Sequence, residues 1–271
     1  MVSVEESALR KELEIAIQAA REAGEIAMKY YRGNYDIREK GYNNPVTTAD
    51  LMANQRIREI IYHTFPEDGW LSEETEDSPD RLAKSRVWVI DPIDGTEEFI
   101  EGTPEFAISI ALVVEGTPVI GVLHNPATAE LFYAYAGGGA FCNGTPMHCS
   151  SCRSLKQASM LVSQTEHRKG LLAGLIPLVA EIQYIGSVAY KLAKLAAGTS
   201  DLYVTVRPKN EWDFCAGDLI LREAGGVLWD KAGQTIKYNK KRVGQPTGLF
   251  AGNPTLVKQV INHYSGKPVY V

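Results

Sequence analysis

The sequence predicts a mixed fold, α+β in its first half and α/β in its second, built as a layered αβαβα sandwich. Three observations predict it: two helical patterns come first, short strands joined by tight turns follow, and strands then alternate with helices. With 271 residues, 45% of them hydrophobic and 23% charged, the chain is long enough for one large domain or two lobes. We expect an N-terminal α+β lobe of residues 1–145 and a C-terminal α/β lobe of residues 146–271.

Two helices are predicted ahead of the strands, packed as a pair on the first sheet. Over residues 4–31, leucine and alanine side chains recur every three or four positions, which is the period of a helix face. The small residues of that face indicate close packing against a neighbour. A second helix is predicted over residues 48–65, with Thr47 as its N-cap and Asp50 three residues further on.

The middle of the chain is predicted to form a meander of mostly antiparallel strands. Runs rich in branched and aromatic residues alternate there with turn sequences such as Gly116-Thr117-Pro118 and Gly137-Gly138-Gly139. The predicted strands are 87–90, 106–114, 119–123 and 131–135.

After residue 150 the pattern becomes an alternation of strands and helices, as in α/β proteins. Strands are predicted at 159–163, 183–185, 202–206 and 226–228. Helices are predicted at 169–180, 188–197, 214–224 and 255–263.

The charge distribution argues against a nucleic-acid polymer as partner. The formal net charge is −5 and the longest basic run is the triplet 240–242, whereas coating a polymer of phosphates requires many clustered cations. A small phosphorylated substrate is compatible with this charge, because a protein binds phosphate through metal ions that its own acids hold.

No membrane partner is expected either. The N-terminus is acidic and lacks the apolar segment of a signal peptide, and the apolar-rich stretch 106–114 is too short to span a bilayer. Four cysteines are too few for the disulfide framework of a secreted protein, so we expect a cytoplasmic location. The expected oligomeric state is a monomer or homodimer. The pair Cys149-x-x-Cys152 suggests a zinc site, but no second Cys/His pair at ligand spacing follows it.

The most informative segment is Asp91-Pro92-Ile93-Asp94-Gly95-Thr96, at the end of the predicted strand 87–90. Two carboxylates three residues apart at a strand end can face one point in space. Hard cations such as Mg²⁺ prefer oxygen ligands of this kind. The backbone amides of Gly95 and Thr96, exposed by the turn, can hold a phosphate oxygen.

Each acidic position also has a purely structural interpretation. Asp91–Thr96 has the composition of a tight turn, and Asp50 has the place of a first-turn acid that complements the helix dipole. Glu73-Glu74 has the composition of a solvated loop, and Asp213 suits an N-cap. The order and spacing of all four segments together favour a functional site.

Taken together, these segments resemble the inositol monophosphatase-like family of Mg²⁺-dependent phosphatases, many of them lithium-sensitive. The family pattern combines a Thr-x-x-Asp segment, a Glu-Glu pair, an Asp-Pro-[Ile/Leu]-Asp-Gly-Thr segment and a Trp-Asp-x-x-[Ala/Cys]-[Ala/Gly] segment. This chain carries them as Thr47–Asp50, Glu73-Glu74, Asp91–Thr96 and Trp212–Gly217, followed by Glu223–Gly226. The resemblance extends from residue 8 to about residue 260.

The resemblance implies two or three Mg²⁺ ions and names their ligands. Glu73, Asp91 and the backbone carbonyl of Ile93 would hold one ion. Asp91, Asp94 and Asp213 would hold a second, and Glu73 would assist a third through water.

The resemblance also implies how water attacks the phosphate. Thr96 and Asp50 would position and deprotonate the water, with no covalent enzyme intermediate. A rival phosphatase class, the haloacid-dehalogenase type, needs a nucleophilic Asp two residues before Asp94. Pro92 occupies that position, so this class is excluded.

Three features bear on the substrate. Glu97-Glu98-Phe99-Ile100 after Thr96 resembles the Lys-Glu-Phe-[Ile/Val] run of the 3′(2′),5′-bisphosphate nucleotidase branch, although Glu97 replaces the Lys. Gly186, Ser187 and Lys191 resemble the segment with which that branch meets its nucleotide. Inositol-preferring members place an acid where this chain has Val206, and the basic residues Arg207 and Lys209 follow it.

These features predict hydrolysis of 3′-phosphoadenosine 5′-phosphate to AMP, with Arg207 or Lys209 near the second phosphate. The alternative interpretation of Arg207 and Lys209 is a solvated loop. Inositol monophosphate or another sugar phosphate is the alternative substrate. A catalytically inactive metal-binding regulator with the same fold is the alternative of another class.

Overall fold

The computed structural model describes residues 9–41 and 44–264. The predicted start of the first helix, at residue 4, lies outside them. In chain order the elements are α1 (Arg10–Tyr30), β1 (Ile37–Gly41), β2 (Asn44–Thr47), α2 (Thr48–Thr64), β3 (Gly69–Ser72), β4 (Arg86–Asp94), α3 (Thr96–Glu101), β5 (Ala107–Val114), β6 (Thr117–Asn125), β7 (Glu130–Tyr135), β8 (Gly139–Cys142), β9 (Thr145–Pro146), β10 (Ser159–Val162), α4 (Gln164–Arg168), β11 (Glu181–Tyr184), α5 (Val188–Ala196), β12 (Leu202–Thr205), β13 (Lys209–Asn210), α6 (Glu211–Glu223), β14 (Val227–Trp229), β15 (Gly244–Gln245), β16 (Leu249–Gly252) and α7 (Pro254–Tyr264).

Two sheets form the frame of the molecule. The first has seven strands in the order β3-β4-β5-β6-β7-β8-β9, parallel between β3 and β4 and antiparallel elsewhere. The second has five strands in the order β11-β10-β12-β16-β14, with β11, β10 and β12 parallel to one another. The predicted antiparallel meander and the later α/β alternation are therefore both confirmed.

The sheets and helices stack in five layers, α-β-α-β-α. One core joins α1 and α2 to the first sheet, a second encloses α5 and α6 between the two sheets, and a third joins α7 to the outer face of the second sheet. Strand β4 shows why: Trp88 and Ile90 point into the first core, and Val87 and Val89 point into the second. Because both of its faces are buried, its sequence is a continuous hydrophobic run.

Close approach between layers depends on small residues. The alanines of α1 are fully buried where the helix meets α2 and the first sheet, as their spacing predicted. In β6, a Cβ added to Gly121 would lie 2.6 Å from the carbonyl oxygen of Ala216, so α6 packs directly on that strand.

The helix predicted at 169–180 is wrong. The chain instead forms the five-residue helix α4, a series of turns, and a short 3-10 turn over Ile176–Leu178. Gly170 has a φ of +68°, which interrupts a right-handed helix, and Pro177 lacks the amide that a longer helix would use. The buried Leu172 and Leu175 produced the helical pattern, although they reach the third core from turns.

In the part of the chain described, no helix is both long and apolar enough to cross a membrane. The division into lobes at residue 145 stays a prediction. The first sheet ends with β9 at Pro146, but the central core joins residues from both sides of that boundary.

Candidate functional site

Strand β4 carries both acids of the Asp91–Asp94 segment, because it continues four residues beyond its predicted end. Asp91 pairs with Ser109, and Asp94 pairs with Ala107, so three steps on β4 match two on β5. Side chains three residues apart in a regular strand point to opposite faces. The extra residue is a bulge that removes this opposition, and both acids line one pocket.

Two other elements bring acids to the same place. Glu73 follows β3, which runs parallel to β4, and its amide donates to the carbonyl of Ile90 at 3.2 Å. Asp213 lies in the first turn of α6, where one oxygen, Oδ2, accepts the Asn210 amide at 2.9 Å. Asp213 is therefore not the N-cap of this helix, as its structural interpretation had it: the helix begins at Glu211, its N-cap is Asn210, and Asp213 completes the capping box from the third helical position. This contact does not exclude a ligand role, because a carboxylate has a second oxygen.

Glu73, Asp91 and Asp213 converge: one carboxylate oxygen from each lies within 4.8 Å of the others. Asp94 is outside this group of three but lies in the same pocket wall, and its charge raises the pKa of both Asp91 and Asp213. An all-carboxylate set is the donor chemistry that Mg²⁺ prefers, so the residues present fit that ion. Within the described residues, Cys149 and Cys152 belong to no comparable group.

The acids of this site carry more negative charge than the neighbouring cations offset. Burial raises the pKa of Asp91 well above 3.8, and the charges of Glu73, Asp94 and Asp213 raise it further. Burial also raises the pKa of Asp213 to about 7, although the cation of Lys209 acts in the opposite direction. A bound divalent cation would supply the missing positive charge.

Asp50 and Thr96 form a hydrogen-bonded pair beside the acids. The Thr96 hydroxyl lies 3.1 Å from Asp50 Oδ1 and 3.1 Å from the carbonyl oxygen of Ile93. Asp50 is buried, and its Oδ2 accepts both the amide and the hydroxyl of Thr47, which confirms the predicted cap of α2. Thr96 lines the pocket, and its hydrogen bond connects the pocket to the buried Asp50 carboxylate.

A lysine from the β1–β2 hairpin reaches the acids from outside. Lys40 Nζ donates to Glu73 at 2.8 Å and to Glu74 at 2.6 Å. The sequence did not predict this contact. A strand as short as β1 gives no indication of which loop it will lie against in the folded chain.

The pocket itself has a volume of about 750 Å³, and its lining includes charged residues of both signs. We call its four glutamates, Glu97, Glu98, Glu101 and Glu105, the acidic wall. We call its four cations, Arg168, Lys169, Arg207 and Lys209, the basic wall. Gly95, Thr96, Gly186 and Asp213 also line it, as the substrate-contact prediction requires.

Two predicted substrate contacts lie behind the pocket instead of in its wall, which corrects that part of the prediction. Ser187 is buried and its hydroxyl donates to Asp94 Oδ2. Lys191 is 1% exposed, with Nζ donating to the carbonyl of Gly186 at 2.9 Å and lying 4.8 Å from the centre of the Tyr203 ring. Burial lowers the pKa of Lys191 to about 8. Both side chains are positioned to hold the pocket floor.

Glu211 is another residue that the sequence interpretation missed. It is fully buried at the start of α6, two residues before Asp213, and accepts the amides of Asn239 and Lys240 at 2.7 and 3.1 Å. Buried Arg81 donates to the side chain of Asn239 at 2.7 Å and so extends the network. The sequence gives no signal that Glu211 is buried, because acidic residues in the first turn of a helix are usually exposed to solvent.

Comparison with known proteins assigns the family. The model of the inositol monophosphatase family matches residues 8–266, nearly the whole chain. This chain belongs to the inositol monophosphatase family. Inositol monophosphatase 3 of Solanum lycopersicum is 32% identical over 241 residues, covering 85% of this chain and 90% of the relative. The Nus factor SuhB of Escherichia coli K12 is 34% identical over 260 residues, covering 92% and 94%.

Solved structures agree with this assignment. An IMPase of Thermotoga maritima superposes with a TM-score of 0.82 at 31% identity, covering 94% of this chain and 97% of that one. SaIMPase-II, at 25% identity, has been solved with inositol monophosphate (TM-score 0.78) and with 2′AMP (TM-score 0.80), each covering 93% of this chain and 92% of that one. Membership of a generally Mg²⁺-dependent family supports a metal-binding phosphatase. The narrower resemblance to the nucleotidase branch stays a prediction.

Proposed function

We propose that this chain is a Mg²⁺-dependent phosphomonoesterase whose preferred substrate is a bisphosphate nucleotide, 3′-phosphoadenosine 5′-phosphate, which it hydrolyses to AMP. The observation that supports it most is the convergence of Glu73, Asp91 and Asp213 within 4.8 Å in the wall of a large polar pocket. A pocket lined by both a cluster of acids and several cations suits a substrate with two phosphates: one would meet the metal centre and the other would meet the cations.

The metal ligands of the proposal are those that the family pattern names. Glu73, Asp91 and the Ile93 carbonyl would hold one ion, and Asp91, Asp94 and Asp213 another, with Glu73 assisting a third through water. When bound, Mg²⁺ supplies Lewis-acid polarisation of the phosphoryl oxygens, a lowered pKa for water, and charge to offset the leaving oxygen. Ser187 and the Ala189 amide orient Asp94 by donating to its Oδ2 at 2.5 and 2.6 Å.

The remaining steps belong to the chain's own side chains. The Thr96 oxygen accepts a hydrogen bond from the attacking water while its hydroxyl donates to Asp50, so a proton leaves the water along this pair. The Gly95 and Thr96 amides hold a phosphoryl oxygen at the start of α3. In-line displacement requires the attacking water, the phosphorus and the leaving oxygen to be aligned, so catalysis would come from positioning and charge.

The basic wall favours the bisphosphate nucleotide. Arg207 and Lys209 both line the pocket, and Lys209 lies near enough to the acids for its charge to oppose the rise in the pKa of Asp213. A 5′-phosphate on this wall would leave the 3′-phosphate at the acids. The nucleotide-bound form of SaIMPase-II supports a pocket of this family that admits an adenosine phosphate.

A specific observation also favours inositol monophosphate as the second candidate. Relatives carry that activity in their names, and the four glutamates of the acidic wall offer acceptors for ring hydroxyls. Other relatives are named Nus factor SuhB and not phosphatase, so a regulatory role is the third candidate. All the acidic side chains of the family pattern are retained, which supports an active phosphatase.

The deciding experiment compares substrates on the Mg²⁺-loaded wild type and on charge-removing variants. We expect the wild type to prefer 3′-phosphoadenosine 5′-phosphate over inositol monophosphate in kcat/KM. Arg207→Gln and Lys209→Gln should lower kcat/KM for the bisphosphate by about one to two decades, because a charge-assisted contact contributes about 1.5–3 kcal/mol. Lys156→Gln, at an exposed lysine outside the pocket wall, is the matched control.

The comparison between substrates tests the nucleotide preference separately from the phosphatase activity. Damage to the shared metal centre affects both substrates equally and cancels in their ratio. Equal losses on both substrates, or a wild-type preference for inositol monophosphate, would overturn the nucleotide proposal and leave the phosphatase standing. Absence of turnover on the whole panel with Mg²⁺ would favour the regulator.

A further inference from the structure

We propose that the ring of Tyr184 is the stacking platform for the nucleobase of the substrate, and therefore a specificity-determining residue. The proposal rests on the nucleotide substrate proposed above, but it is tested separately from turnover.

Exposure and position single out this ring. Six large hydrophobic residues are exposed in the described part of the chain, and among them only Tyr184, at 41% exposure, lines the pocket; the others are Met28, Ile37, Leu51, Met52 and Leu82. A large aromatic ring left in water inside a polar pocket loses the free energy that burial would supply. A ligand that covers the ring would recover it.

The fold explains why the ring stands there. Tyr184 is the last residue of β11, in register with Val162 at the end of the parallel strand β10. Ligands of α/β sheets usually bind beyond the carboxyl ends of parallel strands. The chain continues directly from Tyr184 through Ile185 and Gly186 along the same pocket wall.

A second contact holds the ring in one orientation. The His167 ring stacks on it, with centroids 5.4 Å apart and planes inclined by 28°. The Tyr184 hydroxyl and His167 Nδ1 are 2.5 Å apart, so a hydrogen bond also ties the two rings. With one face against His167 and much of its surface exposed, the ring is ordered before a ligand arrives, which lowers the entropy lost on binding.

The charged neighbours match the rest of a nucleotide. Arg168 and Lys169 follow His167 directly and line the same wall as Arg207 and Lys209. An aromatic surface bordered by cations is the usual arrangement for a base next to its phosphates. At about 750 Å³ the pocket has room for a nucleotide, since pockets of about 300–1,000 Å³ hold ligands of that size.

The alternative to a stacking platform is a structural role, in which the Tyr184–His167 contact only stabilises the packing of α4 against the second sheet. The two explanations depend on different atoms. A structural role requires the hydroxyl that bonds to His167, whereas a platform requires only the ring. Tyr184→Phe and Tyr184→Ala therefore separate them.

The experiment measures discrimination between a base-bearing ligand and its abasic counterpart. Calorimetry with AMP and with ribose 5-phosphate gives the ratio of their dissociation constants, and steady-state kinetics with 3′-phosphoadenosine 5′-phosphate gives KM and kcat. Tyr184→Ala should reduce the AMP preference by about tenfold or more, the size of a stacking contact with one base. It should raise KM more than it lowers kcat.

Two variants provide controls. Tyr184→Phe should retain the AMP preference within about threefold, because the ring remains. Tyr133→Ala removes another stacked ring, which lies against Phe141 with centroids 5.3 Å apart and away from the pocket. It should leave the preference unchanged even where it lowers stability.

The possible outcomes test the stacking platform and the proposed substrate separately. If the wild type binds AMP no better than ribose 5-phosphate, or if Tyr184→Phe loses as much preference as Tyr184→Ala, the platform is overturned. If the wild type prefers AMP through Tyr184 but hydrolyses only other phosphate esters, the platform stands and the proposed substrate falls.

Discussion

The Ser187 hydroxyl donates to Asp94 Oδ2 at 2.5 Å, although 93 positions separate the two residues in the sequence. Ser187 also caps α5, because its oxygen accepts the amide of Tyr190 at 3.0 Å. One side chain therefore joins the first sheet to the central helical layer at the floor of the pocket. It sets the orientation of an acid without touching the pocket itself.

This contact predicts a specific loss of metal affinity. Ser187→Ala should weaken Mg²⁺ binding severalfold, because Asp94 then turns more freely, and should cost about 1 kcal/mol of stability through the lost cap. Ser187→Thr keeps a hydroxyl and should restore both. Calorimetry of Mg²⁺ binding checks the first effect and urea unfolding the second. Unchanged Mg²⁺ affinity in Ser187→Ala would show that Asp94 needs no such support.

Replacing Asp50 and replacing Asp91 should have different effects on Mg²⁺ binding. Asp91→Asn should almost abolish turnover and Mg²⁺ binding, because this residue is proposed to serve two ions. Asp50→Asn should keep Mg²⁺ affinity while kcat falls by about 10²–10⁴, the usual contribution of an acid–base group. Calorimetry and steady-state kinetics on both variants give the comparison. An Asp50→Asn variant that loses Mg²⁺ as severely as Asp91→Asn would contradict the proposed proton acceptor.

Glu211 should support Asp213 through the backbone. Glu211→Gln replaces one acceptor of a buried amide pair with a donor, so we expect a loss of about 1–3 kcal/mol in stability together with weaker Mg²⁺ binding. Glu223→Gln is the matched control. It lies at the other end of α6 and accepts the amides of Gly137 and Gly139, both at 3.0 Å. Equal Mg²⁺ affinities in the two variants would leave Glu211 with a purely structural role.

Asp218 should make stability depend on pH. Burial raises its pKa to about 6 in the folded protein from 3.8, against the opposing effect of Arg222 and its hydrogen bonds. A raised pKa means that its contribution is fully present below about pH 4 and is lost as pH rises through about 6. Asp218→Asn should therefore flatten this part of the profile by up to about 3 kcal/mol, measured by urea unfolding at pH 4, 5, 6 and 7. If the stability of the variant depended on pH in the same way as that of the wild type, the raised pKa of Asp218 would be contradicted.

The site shows how far prediction from sequence extended. Thr47 capping α2 was predictable because a capping box depends on residues three positions apart. The cap of α6 was not predicted, because the helix begins three residues earlier than its sequence pattern indicated and Asn210 is its N-cap. The choice of acids was predictable because the family pattern keeps them in order and because carboxylates suit Mg²⁺. The helix over 169–180 was not, because buried leucines in turns imitate helical spacing.

The sequence by itself determined the layered fold class, the family and the acids available for metal binding, since each depends on local periodicity or on the chemistry of single side chains. Only the tertiary structure decided which acids meet. The bulge that lets Asp91 and Asp94 line one pocket depends on pairing with β5, and Ser187 and Lys191 lie under the floor because α5 is enclosed between two sheets. Such placements depend on packing among residues distant in the chain, and local patterns carry no information about that packing.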